Sequence, residues 1–218
     1  MVKKNRPGVK IYPGFDVEFG LQKSGFQLIA GIDEVGRGAL AGPIMAAAVI
    51  FDLNKNFYGL KKICDSKKIT ADERKRISIY IEKNALDFAL GSVEVKEIDS
   101  FGIGAANVLA FERAISGLKE VDFALIDGKK FRGFKYPFRS IVKGENVSFS
   151  IAAASILAKV KRDQIMDDLH IYNSIYGFDR HKGYGTKNHM EAIKKHGPSI
   201  YHRKSFLKKC HLADLKLL

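Results

Sequence analysis

Two apolar runs of strand length, 27-QLIAGI-32 and 44-IMAAAVIF-51, flank the segment 33-DEVGRGALAGP-43. The first run ends in two adjacent carboxylates, Asp33 and Glu34. A glycine-flanked arginine follows at 36-GRG-38, then Gly42 and Pro43. A second strand-like run begins directly afterwards, with no helix between. The chain must therefore place two acids at a strand end, beside a loop whose glycines let the backbone approach a ligand.

The same alternation continues downstream. Strand-like runs recur at 88-FALGSVEV-95, 121-VDFALIDG-128 and 139-RSIVKG-144. Helical patterns cover 70–85, with Thr70 as its cap and acids in the first turn, then 103–118, ending near Gly117. The long Ala-rich segment 148–172 is helix-compatible, and 187–197 is a short helix closed by Gly197-Pro198. Strands interleaved with helices predict an α/β domain, a mixed central sheet flanked by helices. The expected organisation is a basic extension over 1–26, a catalytic-type domain over 27–206 with a helical C-terminal part, and a tail over 207–218.

Composition narrows the partner. The chain of 218 residues carries 37 Lys+Arg against 24 Asp+Glu, a net charge of +13. Such an excess, spread over both ends and 129-KKFRGFK-135, suits a surface that tracks a polyanion, nucleic acid first. The basic N-terminus leads into no continuous apolar region, so no signal peptide is expected. The longest apolar stretch, 39–51, is too short to span a bilayer and contains Gly and Pro. Cys64 and Cys210 form no CxxC pair. The reading is a reduced, cytoplasmic protein with no disulfide framework and no membrane partner.

Acids in a basic protein need a reason. Asp33 and Glu34 end one predicted strand, Asp127 ends another, and Glu145 follows a third. Functional groups gather at strand ends in α/β sheets, so these four carboxylates are expected to converge at one sheet edge. Gathered carboxylates repel one another unless cations neutralise them. Oxygen-only ligands suit Mg²⁺ or Mn²⁺ rather than zinc. Two such ions about 4 Å apart can clamp a phosphodiester for in-line attack by water. Each acid also has a plain reading: a cap before Gly36, an Asp-Gly turn at 127–128, a solvated loop acid at 145. Asp163, beside Arg162 in a predicted helix, is a rival fourth acid for which an ion pair with Arg162 is the competing reading.

Other motifs are weaker. Gly36, Gly38 and Gly42 space as GxGxxxG and lead into a strand, which does not match a dinucleotide-binding loop. The six histidines, His170, His181, His189, His196, His202 and His211, have no zinc-type spacing with a CxxC.

Taken as an ordered set, 31-GIDEVGRGALAGP-43, 65-DSKK-68, 125-LIDG-128, 143-KGE-145, 152-AAASILAKVKRD-163, 183-GYGT-186 and 202-HRKSF-206 resemble ribonuclease HII, the bacterial type 2 ribonuclease H family. The resemblance covers roughly residues 27–206. It implies a ribonuclease H-like fold and Mg²⁺- or Mn²⁺-dependent cleavage, with two ions in catalysis. The substrates implied are RNA–DNA hybrids and single ribonucleotides embedded in duplex DNA. The cut falls 5′ of the ribonucleotide and leaves a 3′-hydroxyl and a 5′-phosphate. Carried onto this chain, it assigns Asp33, Glu34 and Asp127 to metal binding and catalysis, with Glu145 where the family usually has aspartate. It assigns Gly36, Arg37, Gly38 and Tyr184 to the ribose 2′-hydroxyl, the group that separates RNA from DNA. Lys67 and Lys68 match the phosphate-contacting loop, with Lys159 a lesser candidate for the same task. Ser155 reads as a packing residue. The related ribonuclease HIII carries an added N-terminal domain for which 26 residues leave no room. The alternative to an active enzyme is a catalytically weak or inactive duplex-binding protein, with Glu145 as its sign. A monomer is expected.

Overall fold

The computed structural model describes residues 13–55, 70–129 and 133–209. Lys67, Lys68, both cysteines and His211 lie outside the described residues. Five strands form one sheet: β1 (Ile29–Val35), β2 (Ile44–Ile50), β3 (Asp87–Val93), β4 (Phe123–Asp127) and β5 (Phe138–Ile141), in the order β3-β2-β1-β4-β5. β1 pairs antiparallel with β2 and parallel with β4, and β5 adds parallel to β4. The sheet is mixed, as the alternation of runs predicts.

Both faces are covered. Ala46, Ala48 and Ile50 of β2 join Ala30 and Ile32 of β1 against α3 (Val95–Ser116). Met45, Ala47 and Val49 point the other way, towards α2 (Ala71–Asn84) and α4 (Phe149–Tyr172). This is the two-residue period of a strand buried on both sides. Small residues set how closely the helices approach. A Cβ on Gly31 of β1 would lie 2.1 Å from the Ser150 carbonyl carbon of α4, and one on Gly91 of β3 would lie 2.2 Å from the Ala110 oxygen of α3.

The Thr70 cap read in the sequence is present: its side chain accepts from the Glu73 amide. Ser148 and Thr186 cap their helices in the same way, accepting from Ile151 and His189, each on an orphan N–H. α3 departs from expectation. It starts at Val95 rather than 103, behind a capping box of Glu94 and Glu97, and breaks its helical path at Gly102, where φ is 78°. The glycine hid the first half from a periodicity reading, because a left-handed residue rotates the two halves out of one register.

Part of the stretch read as an N-terminal extension is packed. α1 (Asp16–Lys23) buries Glu18 and Leu21, and Phe15 meets Phe149 at 4.8 Å between ring centres. The C-terminal part holds α5 (Phe178–His181), α6 (Lys187–His196) and α7 (Lys204–Lys209), gathered round Leu40, Met166, Tyr176 and Phe178.

Candidate active site

The sheet register brings the acids together. β1 and β4 run parallel with Ile32 opposite Ile126, so Asp33 and Asp127 stand side by side one residue further on. β5 is parallel to β4, and a 3₁₀ turn over Gly144–Asn146 after it carries Glu145 to the same edge. The turn is pinned: the Gly144 N–H donates to Asp127 Oδ1 at 2.6 Å. Lys143 takes a left-handed φ of 57° to make the corner.

Strand alternation sends the two adjacent acids to opposite faces of the sheet. Asp33 faces α4, where Ser155 favours its charged form. Glu34 faces α3, where Asn107 favours its charged form. Ser155, read from sequence as a packing residue, therefore also acts electrostatically on a site carboxylate. Asn107 was missed. An asparagine among the apolar positions of 103-IGAANVLAF-111 was the available signal.

The acids are held in discomfort. Burial, then the charges of Glu34 and Asp127, push the Asp33 carboxyl well above its usual range. Burial also raises Glu34, against the pull of Arg37, whose guanidinium lies 3.7 Å away. Burial raises Asp127 too, opposed by its bond from Gly144 and reinforced by Glu145. Glu145 lies close enough to Asp127 for each carboxylate to resist ionisation of the other.

Among the described residues, no three His, Cys, Asp or Glu side chains close into a ready-made metal cage. The donor set nonetheless fits a hard divalent cation. It is all oxygen, its carboxyls are raised by burial and mutual repulsion, and the buried Asn107 Oδ1 beside Glu34 has no partner among the described residues.

Two buried arginines build the glycine loop from behind. Arg162 of α4 donates to the carbonyls of Pro43 (2.9 Å), Ala41 (3.1 Å) and Lys182 (2.9 Å). Arg203 donates to the carbonyls of Gly42 (2.8 Å) and Arg37 (3.1 Å). Both are fully buried. For Asp163 the sequence leaves a fourth acid or an ion pair with Arg162 open; the structure gives it an ion pair, with Lys159 instead of Arg162. Successive helix residues point to different faces, so Asp163 bonds Lys159 at 2.6 Å while Arg162 turns inward. Lys159, the lesser phosphate candidate, is thereby engaged.

Gly36 and Gly38 differ in role. Gly36 has φ 86°, and a Cβ there would lie 2.0 Å from Arg162 Nε. Gly38 has open space where a Cβ would go and lies on the surface beside exposed Arg37. The Gly183 carbonyl accepts from Leu40 and Ala41, which ties the 183-GYGT-186 loop to the glycine loop. Tyr184 is partly exposed, and its ring lies 5.4 Å from the Arg162 guanidinium carbon. The expected pairing of 36-GRG-38 with Tyr184 thus has a physical joint, Arg162, that the motif alone did not reveal.

The sequence model of the family Ribonuclease HII matches residues 30–211. A ribonuclease HII from Caldicellulosiruptor bescii is 43% identical over 195 residues, covering 89% of this chain and 93% of the relative. The fold is similar to the ribonuclease H2 from Pyrococcus horikoshii OT3, with a TM-score of 0.72 at 22% identity, covering 85% of this chain and 97% of that one. It is also similar to Bst-RNase HIII, solved in complex with Mn²⁺, with a TM-score of 0.57 at 21% identity, covering 78% and 63%. With the acids gathered at the end of a ribonuclease H-like sheet, and the match spanning that whole domain, the chain belongs to the ribonuclease HII family of endoribonucleases, hydrolases that cut the RNA strand of RNA–DNA hybrids.

Proposed function

We propose that this enzyme also cuts 5′ of single ribonucleotides embedded in duplex DNA, leaving a 3′-hydroxyl and a 5′-phosphate. The observation that carries the reading is the joint between two loops: Arg162 bonds the Ala41 and Pro43 carbonyls of the glycine loop and lies over the Tyr184 ring at 5.4 Å. One buried side chain thus sets the distance between a glycine backbone and an aromatic ring. That arrangement can grip a single sugar and test it for a 2′-hydroxyl, without needing a run of ribonucleotides.

Asp33, Glu34, Asp127 and Glu145 would hold the metal, Mg²⁺ or Mn²⁺, in keeping with the all-oxygen donor set and with the Mn²⁺ complex of a fold relative. When bound, two such ions would supply an activated water and neutralise charge on the scissile phosphate. Ser155 and Asn107 favour the charged forms of the first two acids, and the Gly144 amide orients Asp127. Arg37, exposed beside the acids, is placed to meet the backbone phosphate. The excess of positive charge holds duplexes through phosphate contacts that position without reading sequence. Lys67 and Lys68 are proposed for the same task from the motif alone. The chain acts as a cytoplasmic monomer, and among the described residues no helix is long and apolar enough to cross a membrane.

The test is cleavage of a labelled DNA duplex carrying one ribonucleotide, with Mg²⁺, Mn²⁺ or EDTA, for the wild type and Glu145→Asp. A metal-dependent cut on the 5′ side is the expected result. Binding without any cut, restored by Glu145→Asp, would instead identify a duplex-binding protein whose glutamate disables it.

A further inference from the structure

α1 precedes the residues that the family match covers, yet it reaches the acid cluster through a chain of short bonds. Glu18, fully buried, accepts at Oε1 from the Ser148 hydroxyl (2.6 Å) and from the Ser150 amide (3.1 Å). The Ser148 N–H donates to the Gly144 carbonyl at 2.8 Å. Gly144 in turn donates to Asp127 Oδ1 at 2.6 Å, and Glu145 is the next residue. Backbone bonds run alongside: Gly14 N–H to the Val147 carbonyl (3.3 Å) and Phe149 N–H to the Gly14 carbonyl (2.8 Å). Gly144 cannot drift inward, because the space a Cβ would take there is 2.6 Å from Ile151 Cδ1.

A buried carboxyl is a costly way to dock a helix. Burial raises its pKa, and the groups acting on it are Ser148, Ser150 and its own backbone rather than a cation. An apolar side chain would pack α1 more cheaply. What the carboxyl adds is direction: it grips the cap residue of α4 and the second amide of that helix together, at the point where the turn carrying Glu145 ends.

We propose that Glu18 is a positioning residue for the catalytic edge, holding Asp127 and Glu145 in place through Ser148 and Gly144, so that α1 is a working part of the site. This rests on reading the four acids as the metal-holding site. A carboxylate displaced by about 1 Å costs on the order of a hundredfold in rate, so even a small relaxation of the turn is measurable.

The experiment compares Glu18→Ala, Glu18→Gln and Glu18→Asp with wild type. It measures kcat and KM on the single-ribonucleotide duplex, Mn²⁺ affinity of the substrate-free protein by calorimetry, and thermal melting. Gln keeps the reach and the acceptor, and should stay near wild type. Ala should lose about tenfold or more in kcat with KM little changed, and bind Mn²⁺ several-fold more weakly, at a temperature where its melt shows it folded. A folded Ala variant with wild-type kcat and Mn²⁺ affinity overturns the proposal. If Ala does not fold, the conservative pair decides. Asp keeps the charge but withdraws the acceptor, so it should fall below Gln, and equality or the reverse order overturns the proposal. Asp127→Asn is the control on the underlying reading. If it still turns over, the assignment of the acids fails, whatever Glu18 does.

Discussion

His189 and His202 share a hydrogen bond between their Nε2 atoms, 3.0 Å apart in the interior. The partners at either end settle which ring donates. The Ser199 amide donates to His202 Nδ1 at 2.9 Å, so that nitrogen is an acceptor and the His202 proton sits on Nε2. His189 Nε2 must then accept, which leaves its Nδ1 proton to donate to the Tyr184 carbonyl at 2.9 Å. Both rings are neutral, and the chain ends on the residue proposed to read the sugar.

Burial holds His189 down to about 4 and His202, with His189 beside it, down to about 3. An unfolded histidine titrates near about 6.5. The unfolded chain therefore takes up these protons first as pH falls. The stability this pair contributes is whole above about pH 6.5 and is lost progressively as pH drops towards the folded values. Ring-nitrogen NMR at pH 5.5 should show His189 as the Nδ1–H tautomer and His202 as Nε2–H. A protonated ring in either at that pH would contradict the chain.

The acids act in the opposite sense. Asp33, Glu34 and Asp127 all have folded pKa values above their ordinary ones. Their strain is absent below the unfolded pKa and grows as pH rises through the folded one. At pH 7.5 without metal, Asp33→Asn should therefore melt higher than wild type. A gain of about 1 kcal/mol would be roughly 2–4 °C for a domain of this size. The same variant should lose more than about a hundredfold in turnover. A lower melting temperature would mean that the carboxylate is structurally favourable and the crowding is not real. Adding Mg²⁺ or Mn²⁺ should raise the wild-type melt at pH 7.5, and that gain should shrink as pH falls and the raised carboxyls take up protons.

The two glycines of 36-GRG-38 should part company on substitution. Gly36→Ala forces a Cβ into Arg162 at a positive φ, so stability and activity should fall together. Gly38→Ala meets nothing within 4 Å. Its melt should match wild type, while cleavage at a single ribonucleotide drops. An unchanged Gly38→Ala enzyme would remove that residue from sugar recognition.

Tyr184, the residue proposed to read the sugar, has the Arg162 guanidinium over its ring at 5.4 Å. Tyr184→Ala should reduce cutting at a single ribonucleotide far more than cutting within a long hybrid, and Tyr184→Phe should restore most of it by keeping the face. Equal loss on every substrate would point to a collapsed loop, which melting of the Ala variant would register.

The strand runs, the cap at Thr70 and the acids at strand ends were legible in the chain because each is a local signal. Period, cap chemistry and residue type need only neighbours a few positions away. The motif order pointed to the family for the same reason. Other features had no local signature. α3 was half hidden by the left-handed turn at Gly102. That adjacent Asp33 and Glu34 answer to Ser155 and Asn107 on opposite faces depends on which helix covers each side of the sheet. An ion pair with its neighbour Asp163 was one open reading for Arg162, and it bonds instead to carbonyls 119 and 121 residues away along the chain. A basic-looking N-terminus yielded a buried glutamate wired to the catalytic turn. A buried polar group takes whatever partner the packed chain brings within about 3 Å. That choice belongs to the tertiary structure, since the sequence records the group and not its distance to anything.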